Sequence, residues 1–408
     1  MIKIVPFFSP LSTKSIQEEA LSQLLIDNND IITPDIVLSP DSDIDSGIRH
    51  YLFVGTGGTE NDIVNFIQRA KLSSPIILLS YESNNSLPAA LEIRKYLDIQ
   101  NTNVQIVHGT LKELATIIQD WKQFIKIKNK LKTIRIGVIG VPSDWLIASH
   151  VYEKDVEKVW GAKIVYIPIS KVISPQYKED LERIKEAEEV FIKQAIETKI
   201  PVQMVKEAGK ITERLNQLIQ EFQLDSLTIE CFSLIQKTEI TACYALSTLN
   251  DQGIVAGCEG DIPSTFTMLI LKLLTCQTPF MGNLIHINQV ENSLILAHCT
   301  VPRKMVESHS IVSHFESGKS VAIRGHFKTQ QDVTILKIWG SDLTQWWVAE
   351  GKLTANLNNS SACRTQIEVS LDEPVKPLLE NSFANHHILV LGKHKKRIEN
   401  FLNFTLSC

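Results

Sequence analysis

The sequence lacks several features, and each absence narrows the field. No stretch approaches the roughly 18 consecutive apolar residues of a membrane-spanning helix. The most apolar candidate, 266–274, is interrupted by Thr267 and Lys272. Cysteine is missing from the N-terminal half. All seven cysteines, Cys231, Cys243, Cys258, Cys276, Cys299, Cys363 and Cys408, lie late in the chain, their number is odd, and no CxxC pair occurs. That pattern excludes a disulfide framework and a structural zinc site, and it fits thiols kept reduced in a cytosol. There is no basic domain: the net charge is -5, which argues against nucleic acid as the main partner. The most basic stretch, 122–135, spaces its lysines among Phe124, Ile125, Ile127 and Leu131. It reads as a helix end with a solvated face rather than an anion-binding patch. No internal repeat and no low-complexity segment is found. The opening MIKIVPFFSP is too short and too interrupted for a signal peptide. The expectation is a soluble cytoplasmic protein without a membrane partner.

What is present is an ordinary globular composition, 44% hydrophobic and 21% charged over 408 residues, long enough for two or three domains with cores of their own. The first third alternates apolar runs with helical spacing. IKIVPFF, YLFVGTGG, PIILLSY and VQIVHG read as strands, with helices at 16–27, 60–72, 88–97 and 111–128 between them. Apolar strands alternating with amphipathic helices indicate an open parallel sheet covered on both faces. The pattern restarts at IRIGVIG (134–140) and runs through AKIVYIPI, a charged helix at 176–199, a helix at 211–222, SLTIECF, a helix at 239–249, and GIVAGCEGD. A helix-like stretch also lies near Ala148. After about residue 278 the texture changes to short β-type runs separated by polar turns: SLILAHC, KSVAIRGHF, VTILKIWG, CRTQIEVSL and HHILVLG. The expected fold class is α/β: two open parallel-sheet α/β domains, 1–129 and 130–278, followed by a smaller, mostly antiparallel β domain, 279–408.

Three places carry candidate chemistry. The cluster Gly55-Thr56-Gly57-Gly58-Thr59 follows a strand and precedes a helix. Its spacing is not GxGxxG, so it reads either as a tight strand–helix turn or as a hydroxyl contact at a sheet's carboxyl edge. Pro142-Ser143-Asp144-Trp145 also follows a strand. Trp145 offers a face for a sugar ring or for domain packing, and Asp144 a hydroxyl acceptor. The richest region begins at Glu259 and Asp261, two residues apart after a strongly apolar strand. On a strand that spacing points both carboxylates to one side, as a metal ligand and a general base require. Asn283 and His298 follow, the latter ending an apolar run, and Asn385-His386-His387 opens another. Neighbouring strand residues point oppositely, so one of the two histidines is expected to face a shared site. Glu and His donors suit Mn²⁺, Fe²⁺ or Zn²⁺ better than Ca²⁺. His314, Glu316 and Arg324 lie in HFESGKSVAIRGHF, where lining the site and forming a solvated strand face account for them equally well. Trp346-Trp347 reads as a sugar platform or an oligomer contact.

At these residues the sequence resembles the L-fucose isomerase and L-arabinose isomerase families, and among them the shorter fucose-isomerase-related proteins. The segments that carry the likeness are GCEGDIPSTFTMLILKLLTCQTPFMGN (257–283), LILAHCTVP (294–302), CRTQIEV (363–369) and ANHHILV (384–390), with weaker support from IGVIGVPSDWLIAS (136–149). The resemblance implies a metal-dependent aldose–ketose isomerase acting on a free monosaccharide through an enediol, with a divalent metal, Mn²⁺ in most of the family. It implies Glu259 as metal ligand and proton-transfer group, and His298 and His386 as metal ligands, with His387 the alternative register for His386. Trp145 and Asp144, from their place after a strand, His387, and Arg364, which reads either as a binder of substrate oxygens or as a structural ion pair, are the expected substrate contacts. Where the family has a second carboxylate this chain has Asn283. An amide can ligate the metal but cannot act as a base, so Asp261 is expected to assist as the second catalytic acid. The resemblance also implies a homo-oligomer, trimer-based. Asn283 leaves two other readings open: a non-catalytic sugar-binding or sensory protein, and another metal-dependent sugar enzyme, an epimerase or lyase.

Overall fold

The computed structural model describes residues 2–25, 36–38, 49–72, 75–174 and 179–406. Positions 26–27 and 176–178, at the ends of two expected helices, and Cys408 lie outside the described residues. The chain divides into two compact units, residues 1–128 with 401–408, and residues 129–400. The fold is the α/β type expected: parallel sheets first, then an antiparallel β domain. Among the described residues no helix is long and apolar enough to cross a membrane.

In the first unit five parallel strands run in the order Ile36–Leu38, Ile2–Phe7, Arg49–Val54, Ile76–Tyr81, Val104–Gly109. Strand Ile76–Tyr81 is buried at every position, which is why it reads as an unbroken apolar run rather than an alternating one. Helix Glu60–Ala70 turns Ile63, Phe66 and Ile67 toward a core that includes Leu52, Val54 and Leu78. Each such side chain removed from water contributes about 1.5–3 kcal/mol. The glycine cluster is a packing feature of this turn. A Cβ on Gly55 would lie 2.3 Å from the Phe8 ring, so only hydrogen fits there.

The second unit holds a four-stranded parallel sheet in the order Val255–Cys258, Ser226–Ile229, Arg135–Ile139, Lys163–Ile167. Helix Ile262–Thr275 is buried almost all round. It packs on strands Ser226–Ile229 and Val255–Cys258 on one side and on strands Asp332–Trp339 and His387–Leu391 on the other, so FTMLILKLL has no polar face to spare. Several expected elements differ, SLTIECF among them: its strand ends at Ile229 and a helix begins at Cys231. The charged helix covers Leu181–Gln194 and gives way to a short strand, Glu197–Thr198, which pairs in parallel with strand Ser308–Val312. The stretch near Ala148 is two consecutive turns, closed by Leu146 N–H to Ser143 O and Ser149 N–H to Leu146 O.

The C-terminal strands close on themselves. Phe280–Asn288, Ser293–His298, Thr365–Leu371, Gln345–Asn356, Asp332–Trp339 and His387–Leu391 form a six-stranded barrel in that order, antiparallel at every pairing. Alternate residues such as Phe280, Leu294, Leu296, Ile335, Ile367 and Leu389 are buried together in its core. Trp347 packs against this cluster and stacks on Phe383 at 5.7 Å.

Candidate functional site

The loops at the carboxyl ends of the second parallel sheet meet the ends of the barrel strands, the place where open α/β sheets collect ligands. A cleft of about 630 Å³ lies there, lined by Trp145, Phe232, Glu259, Asn283, Glu316, Asn385 and His386 among others. Its size suits a small ligand.

The GCEGD segment does not deliver its carboxylates from a strand. The strand ends at Cys258, and Glu259 and Gly260 take φ values of 62° and 67°. Gly260 passes so close to the loop after strand Arg135–Ile139 that a Cβ would lie 2.5 Å from Val141 O and 2.7 Å from Pro142 Cα. That crossing lets Ser143 N–H donate to Glu259 O at 2.9 Å and brings Trp145 beside the acid. The turn sends the two carboxylates to opposite nitrogens of one imidazole instead of to one side. Glu259 Oε1 lies 3.4 Å from His386 Nε2, and Asp261 Oδ2 lies 2.9 Å from His386 Nδ1.

Asp261 is fully buried and is the N-cap of helix Ile262–Thr275. It accepts from Ser264 N–H at 2.9 Å and from Ser264 Oγ–H at 2.7 Å. It stands behind the imidazole and is not among the residues lining the cleft. An ionised carboxylate only accepts, so His386 Nδ1 carries a proton. Burial pushes the Asp261 carboxyl up, but Lys337, His386 and Ser264 N–H bring it down to about 2. Glu259 follows the same balance: burial raises it, and His386, His298 and the Trp145 indole lower it to about 2. His386 moves the other way. Burial disfavours its charge, yet Asp261 and Glu259 hold it up to about 9.

His298 closes strand Ser293–His298, with Nδ1 2.8 Å from Thr300 Oγ1 and its ring 5.4 Å from that of His386, edge on. Burial first, and then the neighbouring His386, push its pKa down to about 3. One ligand atom each from Glu259, His298 and His386 lie within 4.8 Å of one another. His386 Nε2 is buried and has no hydrogen-bond partner. A divalent metal would satisfy that atom. Both histidines have their other nitrogen engaged, one by a carboxylate and one by a hydroxyl, as metal-ligating histidines usually do. The residues therefore fit such an ion.

The other expected site residues scatter. Asn283 lines the cleft and its Oδ1 accepts from Asn385 Nδ2 at 2.8 Å. Trp145 lines it too, half-exposed, donating its indole N–H to Glu259 Oε2 at 2.7 Å and meeting Phe232 edge on at 4.8 Å. Asp144 is exposed and is not among the lining residues. His387 is buried beside Trp347, away from the lining, with neither ring nitrogen hydrogen-bonded; burial, with Lys337 and His386 adding to it, lowers its pKa to about 3. Arg364 also stays out of the lining: Nε donates to Ser313 O at 2.8 Å and the guanidinium covers the Phe315 ring, which secures the wall at 313–316.

Sequence reasoning missed Lys337. It is fully buried, and Nζ donates to Asn385 O at 2.6 Å and lies 3.4 Å from Ser264 Oγ. Burial pushes its ammonium pKa down, and Asp261 opposes that shift. It holds the backbone immediately before His386 in place. Its only signal in the sequence is a lone lysine between Leu336 and Ile338, which reads as a solvent-facing strand position.

No protein-family model matches the chain. Among curated proteins it is similar to the sulfoquinovose isomerase of Alkalicoccus urumqiensis, 27% identical over 172 residues, which is 42% of this chain and 39% of that protein. It is also similar to the sulfoquinovose isomerases of Priestia aryabhattai and Priestia megaterium, each 25% identical over 178 residues, 43% of this chain and 40% of theirs. The likeness spans about two fifths of the length of these relatives. It bears out the expected kinship with sugar isomerases, through relatives other than the L-fucose and L-arabinose enzymes.

Proposed function

We propose that this chain is an aldose–ketose isomerase of a free monosaccharide, with Glu259, His298 and His386 holding a divalent metal, Mn²⁺ by the likeness to the fucose and arabinose isomerases. The observation that carries the reading is the buried His386 Nε2, without a hydrogen bond and 3.4 Å from Glu259 Oε1, with a ligand atom of buried His298 within 4.8 Å of both residues. A divalent ion held there would supply Lewis acidity toward the sugar's oxygens. The chain's own residues do the rest. Asp261 fixes the His386 ring through Nδ1, leaving Nε2 to point at the floor. Trp145 steers one Glu259 oxygen with its indole N–H and presents an exposed ring to the apolar face of a sugar. Asn283 and Asn385 offer amide groups for hydroxyls. Among the described residues the lining carries carboxylates and amides and neither lysine nor arginine, which favours an uncharged sugar over a sulfonated one such as the substrate named for the relatives. A homo-oligomer and a cytoplasmic site of action belong to the same proposal.

The reading is tested by incubating the Mn²⁺-loaded protein with L-fucose, L-arabinose and sulfoquinovose and following ketose formation by NMR in deuterated water. Conversion with C–H exchange, strongest for an uncharged sugar, is the expected result. Asn283, in the place of a carboxylate, favours a second reading, a sugar-binding protein without turnover. Sugar binding with neither conversion nor exchange would establish that one instead.

Asp261→Asn probes the outer contact. The amide still caps the helix, since Asn serves at N-caps as well as Asp, but it no longer anchors the imidazole with a full charge. Loss of such a partner typically costs 10–100-fold in metal affinity. The expected result is Mn²⁺ binding weakened by about 10–100-fold, read by titration calorimetry, with a lowered thermal transition in differential scanning calorimetry, because the buried Lys337 ammonium loses the carboxylate that supports its charge. Unchanged affinity would remove Asp261 from the site.

A further inference from the structure

An aldose–ketose isomerase needs a group in the cleft that takes a proton from one carbon and returns it to the next. The residues already placed are committed. Glu259 has one oxygen on the Trp145 indole and the other toward His386. Both Asp261 oxygens are engaged, and that side chain lies outside the lining. Asn283 has no titrating proton. One further carboxylate lines the cleft: Glu316.

Glu316 sits in the turn between strands Ser308–Val312 and Ala322–His326, which pair in antiparallel fashion. The turn is fixed at several points. Gly318 N–H donates to His314 O at 2.9 Å, His314 N–H to Lys319 O at 3.0 Å, and His314 Nδ1 lies 3.1 Å from Ser317 Oγ. Arg364 ties Ser313 O and covers Phe315 from the barrel side. The Glu316 side chain is exposed, and no hydrogen bond or ion pair joins its carboxyl to another described residue. A positioned backbone carrying an uncommitted carboxyl is what proton transfer to a bound ligand requires. Partial desolvation in the cleft raises its pKa.

We infer that Glu316 is the second proton-transfer group of this cleft, in place of the carboxylate absent at Asn283; the inference rests on the isomerase reading above. In the aldose-to-ketose direction the Glu316 carboxylate takes the proton from C2. The C2–H electron pair becomes the C1=C2 bond, the carbonyl π pair moves to O1, and O1 gains the proton that O2 gives up. The electron pair on O2 then forms the C2=O bond, the C1=C2 π pair becomes the new C1–H bond, and the proton for it comes back from Glu316. Atoms and electrons balance with no oxidant, and the carboxylate is regenerated.

The test compares wild type, Glu316→Gln and Glu316→Asp, each loaded with Mn²⁺, on the sugar that wild type converts best. Expected for Glu316→Gln is a kcat about 100-fold lower, loss of C–H exchange in deuterated water, KM within a few-fold, and unchanged metal content and thermal transition; Glu316→Asp restores part of kcat and of exchange. Glu316→Gln turning over and exchanging within about threefold of wild type would overturn the assignment while leaving the isomerase reading intact. Loss of bound metal or of the folded transition in Glu316→Gln would also overturn it, in favour of a structural role. A wild type that neither converts nor exchanges any of the three sugars would overturn the isomerase reading itself, and the role of Glu316 with it.

Discussion

Glu259→Gln is expected to lower kcat/KM by at least about 100-fold, because it removes the anionic metal donor from the cleft. The substitution is nearly isosteric. Trp145 can still donate its indole N–H to the remaining carbonyl oxygen at a position now 2.7 Å away, and the left-handed turn at 259–260 does not depend on charge. What is lost is the negative charge between His386 and His298, two rings whose other nitrogens are already held by Asp261 and Thr300. A neutral amide beside two imidazoles binds a divalent cation poorly, since the site then carries a single buried carboxylate, Asp261, and that one points at the far nitrogen. Steady-state kinetics with excess Mn²⁺ checks this. Activity within about tenfold of wild type would mean that Glu259 is not a metal donor.

Lys337→Met is expected to destabilise the fold by about 3 kcal/mol. Methionine matches the volume of the lysine stem, so the packing change is small. The cost comes from polar groups left behind. Partly buried Asn385 O loses its donor at 2.6 Å, and Asp261 loses the cation that does most, burial aside, to keep it ionised. Relief from burying an ammonium works the other way, but the loss of one partner from a buried polar network normally outweighs it. Urea unfolding measures the difference. A midpoint equal to wild type would show that Asn385 O finds another donor and that Lys337 is no strut for the segment before His386.

The parts of this architecture that were legible share one property, a local pattern. Runs such as PIILLSY and IRIGVIG are apolar because both faces of their sheets are covered, and that continuity is visible without the fold. The barrel was not legible as a barrel. Its closure joins Phe280 to Leu389 and Met281 to Ile388, pairs so far apart in the chain that neither end carries a sign of the other. Strand Gln345–Asn356 was missed because QWWVAEGKLTAN does not alternate cleanly, and its pairing register shifts between Leu353 and Ala355.

The candidate site divides along the same line. Glu259, Asn283, His298 and His386 come from short distinctive segments, and the structure brings Glu259, His298 and His386 within reach of one ion, with Asn283 in the same cleft. The direction of the carboxylates was misread, because period-two reasoning holds on a strand and the strand stops at Cys258. Glu316 was weighed and left undecided, since a glutamate in a turn looks the same whether it faces water or a cleft. Asp144 was read from its place after a strand, Arg364 from its chemistry and His387 from its register beside His386, none of which fixes where a side chain points, and the structure puts each of them outside the cleft lining.

The most direct test of the metal centre is elemental analysis of the purified protein after Mn²⁺ loading and gel filtration, wild type beside His386→Ala. About one ion per chain in wild type, lost in the variant while its fold survives by circular dichroism, is the predicted result. No retained Mn²⁺, Fe²⁺ or Zn²⁺ in wild type, or equal retention in His386→Ala, would contradict a metal site built on Glu259, His298 and His386.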